Sequence, residues 1–220
     1  MTAFAAIAIH LSGCGLFSSL PAGTVTGVVL FNGGPAHGIR VGLQGTSLAT
    51  STDLNGNYTF TGVPGGQAVQ VTFVSRQDAA AAAANQVPNE VYEWTSAPLQ
   101  VGSSGASVPP FDISYNGLLY PDDTMALLSG ATAPIPFHWS TQLSATHYRL
   151  HVVSRADGSD WAGSWNSDPM GIFAQSVTPG KYDWYVEFDG GDRGSGRSYT
   201  REVDLSPVDD SSGTGAGGGD

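Results

Sequence analysis

The segment Lys181-Tyr182-Asp183-Trp184-Tyr185-Val186-Glu187-Phe188 carries Tyr182, Trp184, Val186 and Phe188 at every second position, directly after the turn-forming pair Pro179-Gly180. Strict alternation puts the bulky apolar side chains on one face of a strand, and no helix can gather such a set on one side. The pattern recurs at Ile39, Val41 and Leu43, at Tyr58 and Phe60, at Ile135, Phe137 and Trp139, and at Tyr148, Leu150 and Val152. Clusters such as Asn32-Gly33-Gly34-Pro35, Asp53-Leu54-Asn55-Gly56 and Val63-Pro64-Gly65-Gly66 punctuate these runs as turns. Thirty Gly and 13 Pro against a single Lys fit many short strands and exclude a helical bundle.

A chain of 220 residues has room for two small domains. Eight basic against 19 acidic residues give a net charge of −11, so the chain has no means of neutralising a phosphate backbone, and nucleic acid is excluded as a partner. The expected fold class is therefore all-β, as two tandem β-sandwich domains.

Residues 3–11 (AFAAIAIHL) are apolar but too few to span a bilayer as a helix, which takes about 20 residues. They fit the apolar core of a signal peptide, although no Lys or Arg precedes them and His10 interrupts the run. The run closes in Leu11-Ser12-Gly13-Cys14, which resembles the lipobox of bacterial lipoproteins. That resemblance implies cleavage after residue 13 and a lipid on the thiol of Cys14. Cys14 is also the only cysteine, so no disulfide can form within one chain. Gly15 is not the Asp that the lipoprotein pattern links to inner-membrane retention, so the expected location is the bacterial outer membrane or cell surface. Residues 1–13 are then the signal and residues 14–22 a tether.

Residues 23–74 run in the order G-x-V, N-G-x-P, G-x-x-V, D-x-N-G-x-Y-x-F, G-V-P-G-G, V-x-V. This order resembles the carboxypeptidase regulatory-like domain, a small transthyretin-like β-sandwich, and implies an accessory surface module without catalytic residues. Asp78 is positioned to cap one or two helical turns over the alanine-rich stretch 78–86, read as an insertion between strands. Strands at 90–101 and 108–115 complete a domain of residues 23–116.

In the second half, F-x-W at 137–139, A-x-x-Y-x-L-x-V at 145–152 and P-G-x-Y-x-W-x-V at 179–186 precede a closing strand at 197–205, expected to pair across the Gly-rich loop 189–196. Together they resemble a fibronectin type III-like or immunoglobulin-like domain over residues 117–206. Its aromatics Trp139, Tyr148, Tyr182 and Trp184 belong to the core by their spacing. The tail 207–220 (PVDDSSGTGAGGGD) is too poor in apolar residues to order itself and is read as disordered, acting as a spacer or as terminal slack.

No zinc-protease helix, G-x-S-x-G elbow or P-loop occurs, so the expectation is no enzyme, no catalytic residue and no cofactor. His147 and His151 share a strand face with Arg149 between them, and that cation disfavours a metal; all three read as solvent-facing, as does His138. Asp53, Asn55 and Asn57 read as a tight turn because Gly56 is one position off for a calcium loop. Asp157, Asp160, Asp189 and Asp192 are loop carboxylates, able at most to chelate calcium weakly. The remaining candidates are Trp161 and Trp165, four apart in SDWAGSW. In an extended strand they would present both rings on one side, about 13 Å apart, as a stacking platform for sugars; the competing reading has them cover a sandwich edge.

The expected function is a non-enzymatic envelope lipoprotein for adhesion or scaffolding. It would be held at the membrane by its lipid and would bind an envelope protein or polysaccharide. The alternative is an envelope-tethered carbohydrate-binding module.

Overall fold

The structure is a computed structural model, and it describes residues 23–63, 65–66, 68–75, 89–121, 134–175 and 178–205. Cys14 with the signal and tether, the stretch 78–86 and the tail 207–220 lie outside the described residues. Among the described residues the regular structure is all strand, apart from one 3-10 turn at Gly191–Arg193. The first half holds β1 (Val25–Phe31), β2 (Gly34–Pro35), β3 (Arg40–Leu43), β4 (Ala49–Ser51), β5 (Asn57–Phe60), β6 (Ala68–Val69), β7 (Val71–Val74), β8 (Glu93–Thr95), β9 (Leu99–Gln100), β10 (Ala106–Ser107) and β11 (Phe111–Asp112). The second half holds β12 (Leu118–Tyr120), β13 (Ile135–Trp139), β14 (His147–Ser154), β15 (Asp160–Ala162), β16 (Met170–Phe173), β17 (Lys181–Asp189), β18 (Ser195–Arg197) and β19 (Arg201–Asp204).

The all-β sandwich expectation holds. In the first half β1 pairs antiparallel with β2 and β5 and parallel with β10 and β11. Against this sheet packs a second one containing β3, β4, β7 and β8, and Trp94 stacks on Phe111 across the gap at 6.0 Å between centroids. In the second half the sheet β12-β13-β16 packs on β14 and β17, where Phe137 meets Trp184 edge-on at 4.9 Å. Tyr148, Leu150, Val152, Trp184, Val186 and Phe188 all lie inward and buried, as their period-two spacing requires.

The two halves share a layer. β18 pairs with β17 on one side and with β8 on the other, so one sheet runs unbroken as β15-β14-β17-β18-β8-β7-β3-β4, with β19 also on β17. Glycine permits this approach: a Cβ on Gly196 would lie 2.3 Å from the Glu93 carbonyl oxygen. Gly194, at φ +108°, would place one 2.1 Å from that of Thr95. Behind the ladder, the buried Asp112 carboxylate accepts from Gly33 N (2.7 Å), Ser114 N (2.7 Å) and Ser114 Oγ (2.5 Å). Asp112 N donates to Ser144 Oγ at 2.6 Å, Gln142 Nε2 donates to the Asp112 carbonyl, and Ser144 N donates to Gln142 Oε1 at 2.6 Å. Tyr115 packs edge-on against Phe188 at 5.0 Å, and Trp94 Nε1 donates to the Arg193 carbonyl at 3.0 Å. The buried residues of both halves consequently form one cluster.

Expected strands are interrupted: the run 90–101 splits into β8, within the shared sheet, and β9, which pairs with β6. The V-x-V run at 69–74 breaks at Gln70, whose side-chain amide donates to the Ser96 carbonyl at 3.0 Å. The closing strand 197–205 splits into β18 and β19 around buried Ser198, whose Oγ accepts from Val186 N at 3.0 Å. The pairing of β17 slips by one residue across that split, from Glu187 opposite Arg197 to Lys181 opposite Asp204, which is a β-bulge.

Candidate functional site: the solvent face of the shared sheet

Because the inward positions of β14 and β17 are taken by core side chains, the alternate positions face water. The ladders bring Arg149 opposite Glu187, Glu187 opposite Arg197, and Arg197 opposite Glu93, so four charges of alternating sign form a row across β14, β17, β18 and β8. Arg149 Nε donates to Glu187 Oε2 at 2.8 Å, and its Nη2 donates to the same oxygen. Arg197 Nε donates to Glu93 Oε1 at 2.8 Å. Arg149 Nη1 and both Nη groups of Arg197 make no further hydrogen bond among the described residues.

Aromatic rings interleave with the cations. The Arg149 guanidinium lies 4.8 Å from the centroid of the Trp165 ring, and that of Arg197 sits between Tyr92 (4.3 Å) and Tyr185 (5.4 Å). Tyr199 packs edge-on against Tyr92 at 5.2 Å. Burial, followed by the nearby charges of Asp160 and Glu187, raises the Tyr185 hydroxyl above its ordinary range; burial likewise raises Tyr199. Between Trp165 and Arg197 the row encloses an open groove of about 280 Å³, to which Thr95 and Ser195 add hydroxyls.

His151 corrects a sequence expectation. It points to the outer side of β14 but is only 6% exposed, because its ring stacks on Tyr185 at 4.6 Å between centroids. Its Nδ1 lies 3.1 Å from both oxygens of Asp160. Its Nε2 lies 3.1 Å from Glu187 Oε2, yet is out of line for a hydrogen bond. Period-two spacing gave the side of the strand but not the ring that covers it. His147 and His138 are exposed, as expected.

Trp161 and Trp165 do not share a platform. Trp161 is paired with inward Val152, is half-buried and meets Phe173 edge-on at 5.1 Å. Trp165 is 42% exposed and lies with Arg149 on the opposite side of the sheet. A one-residue slip separates them. His151 pairs with Ala162, whereas Tyr148 bridges to Asn166, so three residues on one chain oppose two on the other. Such a bulge reverses the sides of everything beyond it. Trp161 instead lines a separate cleft of about 380 Å³ with Phe173, Tyr182, Asp157 and Lys181.

Of the carboxylates read as loop residues, Asp160 lies instead on β15 beside His151, while Asp53, Asp157 and Asp189 serve their own turns. Asp53 Oδ1 accepts from the backbone N–H groups of Asn55 and Asn57 at 2.8 Å, and the Asn57 bond comes first in holding its pKa down. Asp157 accepts from Ser159 N at 3.0 Å, and Asp189 from Gly191 N at 2.9 Å. Among the described residues no group of three or more His, Cys, Asp or Glu side chains is placed to hold a metal ion.

No protein-family model matches this chain, and no curated protein matches it. Among solved structures it is similar to the fibronectin(III)-like modules of Clostridium thermocellum CbhA, at 8% identity and a TM-score of 0.33, covering 87% of this chain and 93% of that one. It is also similar to the FN1–FN3 domains of chicken CNTN1, at 12% identity and a TM-score of 0.30, covering 86% and 69%. Likenesses at these scores carry neither the fold nor a function; the architecture above rests on the strand pairing.

Proposed function

We propose that the chain is a non-enzymatic surface lipoprotein of a bacterial envelope, in which Cys14 carries the lipid and the β-sandwich body is displayed as a binding or scaffolding module. In this reading residues 23–116 are a transthyretin-like sandwich of the carboxypeptidase regulatory-like kind, and residues 117–206 a fibronectin type III-like one. The sequence Leu11-Ser12-Gly13-Cys14 supports the anchor. The observation that carries the binding role is the outer sheet face, where Trp165 stands exposed beside guanidinium groups held by carboxylates and rings. Side chains already fixed before a partner arrives lose little entropy on binding.

Fractionation of cells expressing the full chain tests this. The wild type is expected in the detergent-extracted membrane fraction and at the cell surface, with Cys14→Ala released in soluble form. Membrane retention of Cys14→Ala would overturn the anchor.

A further inference from the structure

The groove between Trp165 and Arg197 offers a combination of groups that the fold itself does not use. Arg149 Nη1 and the two Nη groups of Arg197 are donors without a partner among the described residues. Only one oxygen of Glu187 and one of Glu93 are engaged by the arginines, which leaves acceptors beside those donors. Ser195 and Thr95 add hydroxyls, and Trp165 closes one end with an exposed indole. Donors and acceptors alternate at the inter-strand spacing, about 4.8 Å, which is close to the width of one pyranose ring.

The charges select among ligands. Two guanidiniums balance two carboxylates along the row, so an anionic ligand meets Glu93 and Glu187, and a cationic one meets Arg149 and Arg197. A neutral polyol suffers neither repulsion, and its vicinal hydroxyls match paired donors and acceptors. An exposed indole beside fixed polar groups suits the C–H face of a sugar ring.

We infer that this groove is a binding site for neutral oligosaccharides laid across β14, β17, β18 and β8, with Trp165 as the stacking residue and Arg149, Glu187, Arg197 and Glu93 as the hydroxyl-reading row. This names the ligand class for the binding role proposed above and rests on that reading. The open, shallow shape calls for modest affinity, on the order of 0.1–1 mM.

The test is titration of the full chain, followed by tryptophan emission and calorimetry. The probes are cellohexaose, maltohexaose and chitohexaose, each to about 10 mM, with hexagalacturonate as the charged counterpart. At least one neutral hexasaccharide is expected to bind saturably, Trp165→Ala to weaken it about tenfold or more, and hexagalacturonate to bind less well. Arg197→Lys, which keeps the charge but not the planar fork, is expected to weaken binding as well. Trp161→Phe, in the other cleft, is expected to leave it unchanged. Absence of saturable binding by all three neutral probes, binding unaltered in Trp165→Ala, or preference for hexagalacturonate would each overturn the inference. Any of these with Cys14-dependent surface display intact would leave the envelope reading standing, so the two failures are distinguishable.

Discussion

Two structures cross from the first half of the molecule to the second, and they are built from opposite materials. The inner one is buried: Gly194 and Gly196 let β18 lie against β8, Asp112, Gln142, Ser144 and Ser114 satisfy one another, and Tyr115 packs on Phe188. The outer one is the row Arg149, Glu187, Arg197 and Glu93, whose side chains keep 28–42% of their exposure. A buried polar group without a partner costs about 1–3 kcal/mol, whereas an exposed ion pair contributes about 0.2–1 kcal/mol. The inner junction therefore holds the halves together, and the outer row adds little to the fold. That asymmetry argues that the row is free to serve recognition.

The largest effect is expected at the glycines of the inner junction. Gly194→Ala sets a Cβ 2.1 Å from the Thr95 carbonyl oxygen at a φ of +108°, and the obstacle is backbone that cannot swing aside. A loss of about 3 kcal/mol or more is expected, lowering Tm by on the order of 10 °C for a body of this size. Because sheet and core are continuous, thermal unfolding followed by circular dichroism and by tryptophan emission should give one coincident transition. Two separated transitions in the wild type would break the picture of a joined unit.

Next comes Gln142→Ala. It removes the donor to the Asp112 carbonyl and the acceptor for Ser144 N, both buried, for an expected loss of about 2–3 kcal/mol. Denaturant midpoints at constant m-value would measure it.

Alkaline pH bears on the buried tyrosines, among them Tyr115 of the inner junction. Burial pushes the hydroxyls of Tyr58 and Tyr115 above the ordinary 10.0, so each stays protonated in the folded chain where the unfolded chain ionises. The unfolded state then binds fewer protons, and stability falls as pH rises above 10.0. Tyr115→Phe should flatten that fall. An unchanged slope of stability between pH 9 and 11 would show that Tyr115 ionises freely and that the inner junction opens to water.

Much of this was legible in the sequence. Period-two spacing placed Tyr148, Leu150, Val152, Trp184, Val186 and Phe188 inward, because one buried face fixes a strand's register. What escaped were single-residue slips and pairings between distant segments. The bulge between Ala162 and Asn166 separates Trp161 from Trp165, and nothing in SDWAGSW announces it except Gly163, whose N–H bonds to the Leu150 carbonyl at 2.9 Å. The β8–β18 ladder joins residues about a hundred positions apart, and the signal for it, Gly194 and Gly196, reads locally as a hairpin loop. The row was invisible for the same reason: Arg149, Glu187, Arg197 and Glu93 come from four strands and are neighbours only through pairing.

The smallest effects are expected on the row itself, and they decide what it is for. Trp165→Ala removes a partly exposed ring and its contact with the Arg149 guanidinium, and should cost about 1 kcal/mol. A double-mutant cycle on Arg197→Ala and Glu93→Ala should return a coupling of at most about 1 kcal/mol. Values as large as the Gln142→Ala loss would make the row a second strut between the halves, since side chains maintained for stability need no ligand to explain them. Small values leave two guanidiniums, two carboxylates and an indole held in fixed positions with almost no return to the fold. Such an arrangement is accounted for by what it contacts outside the chain.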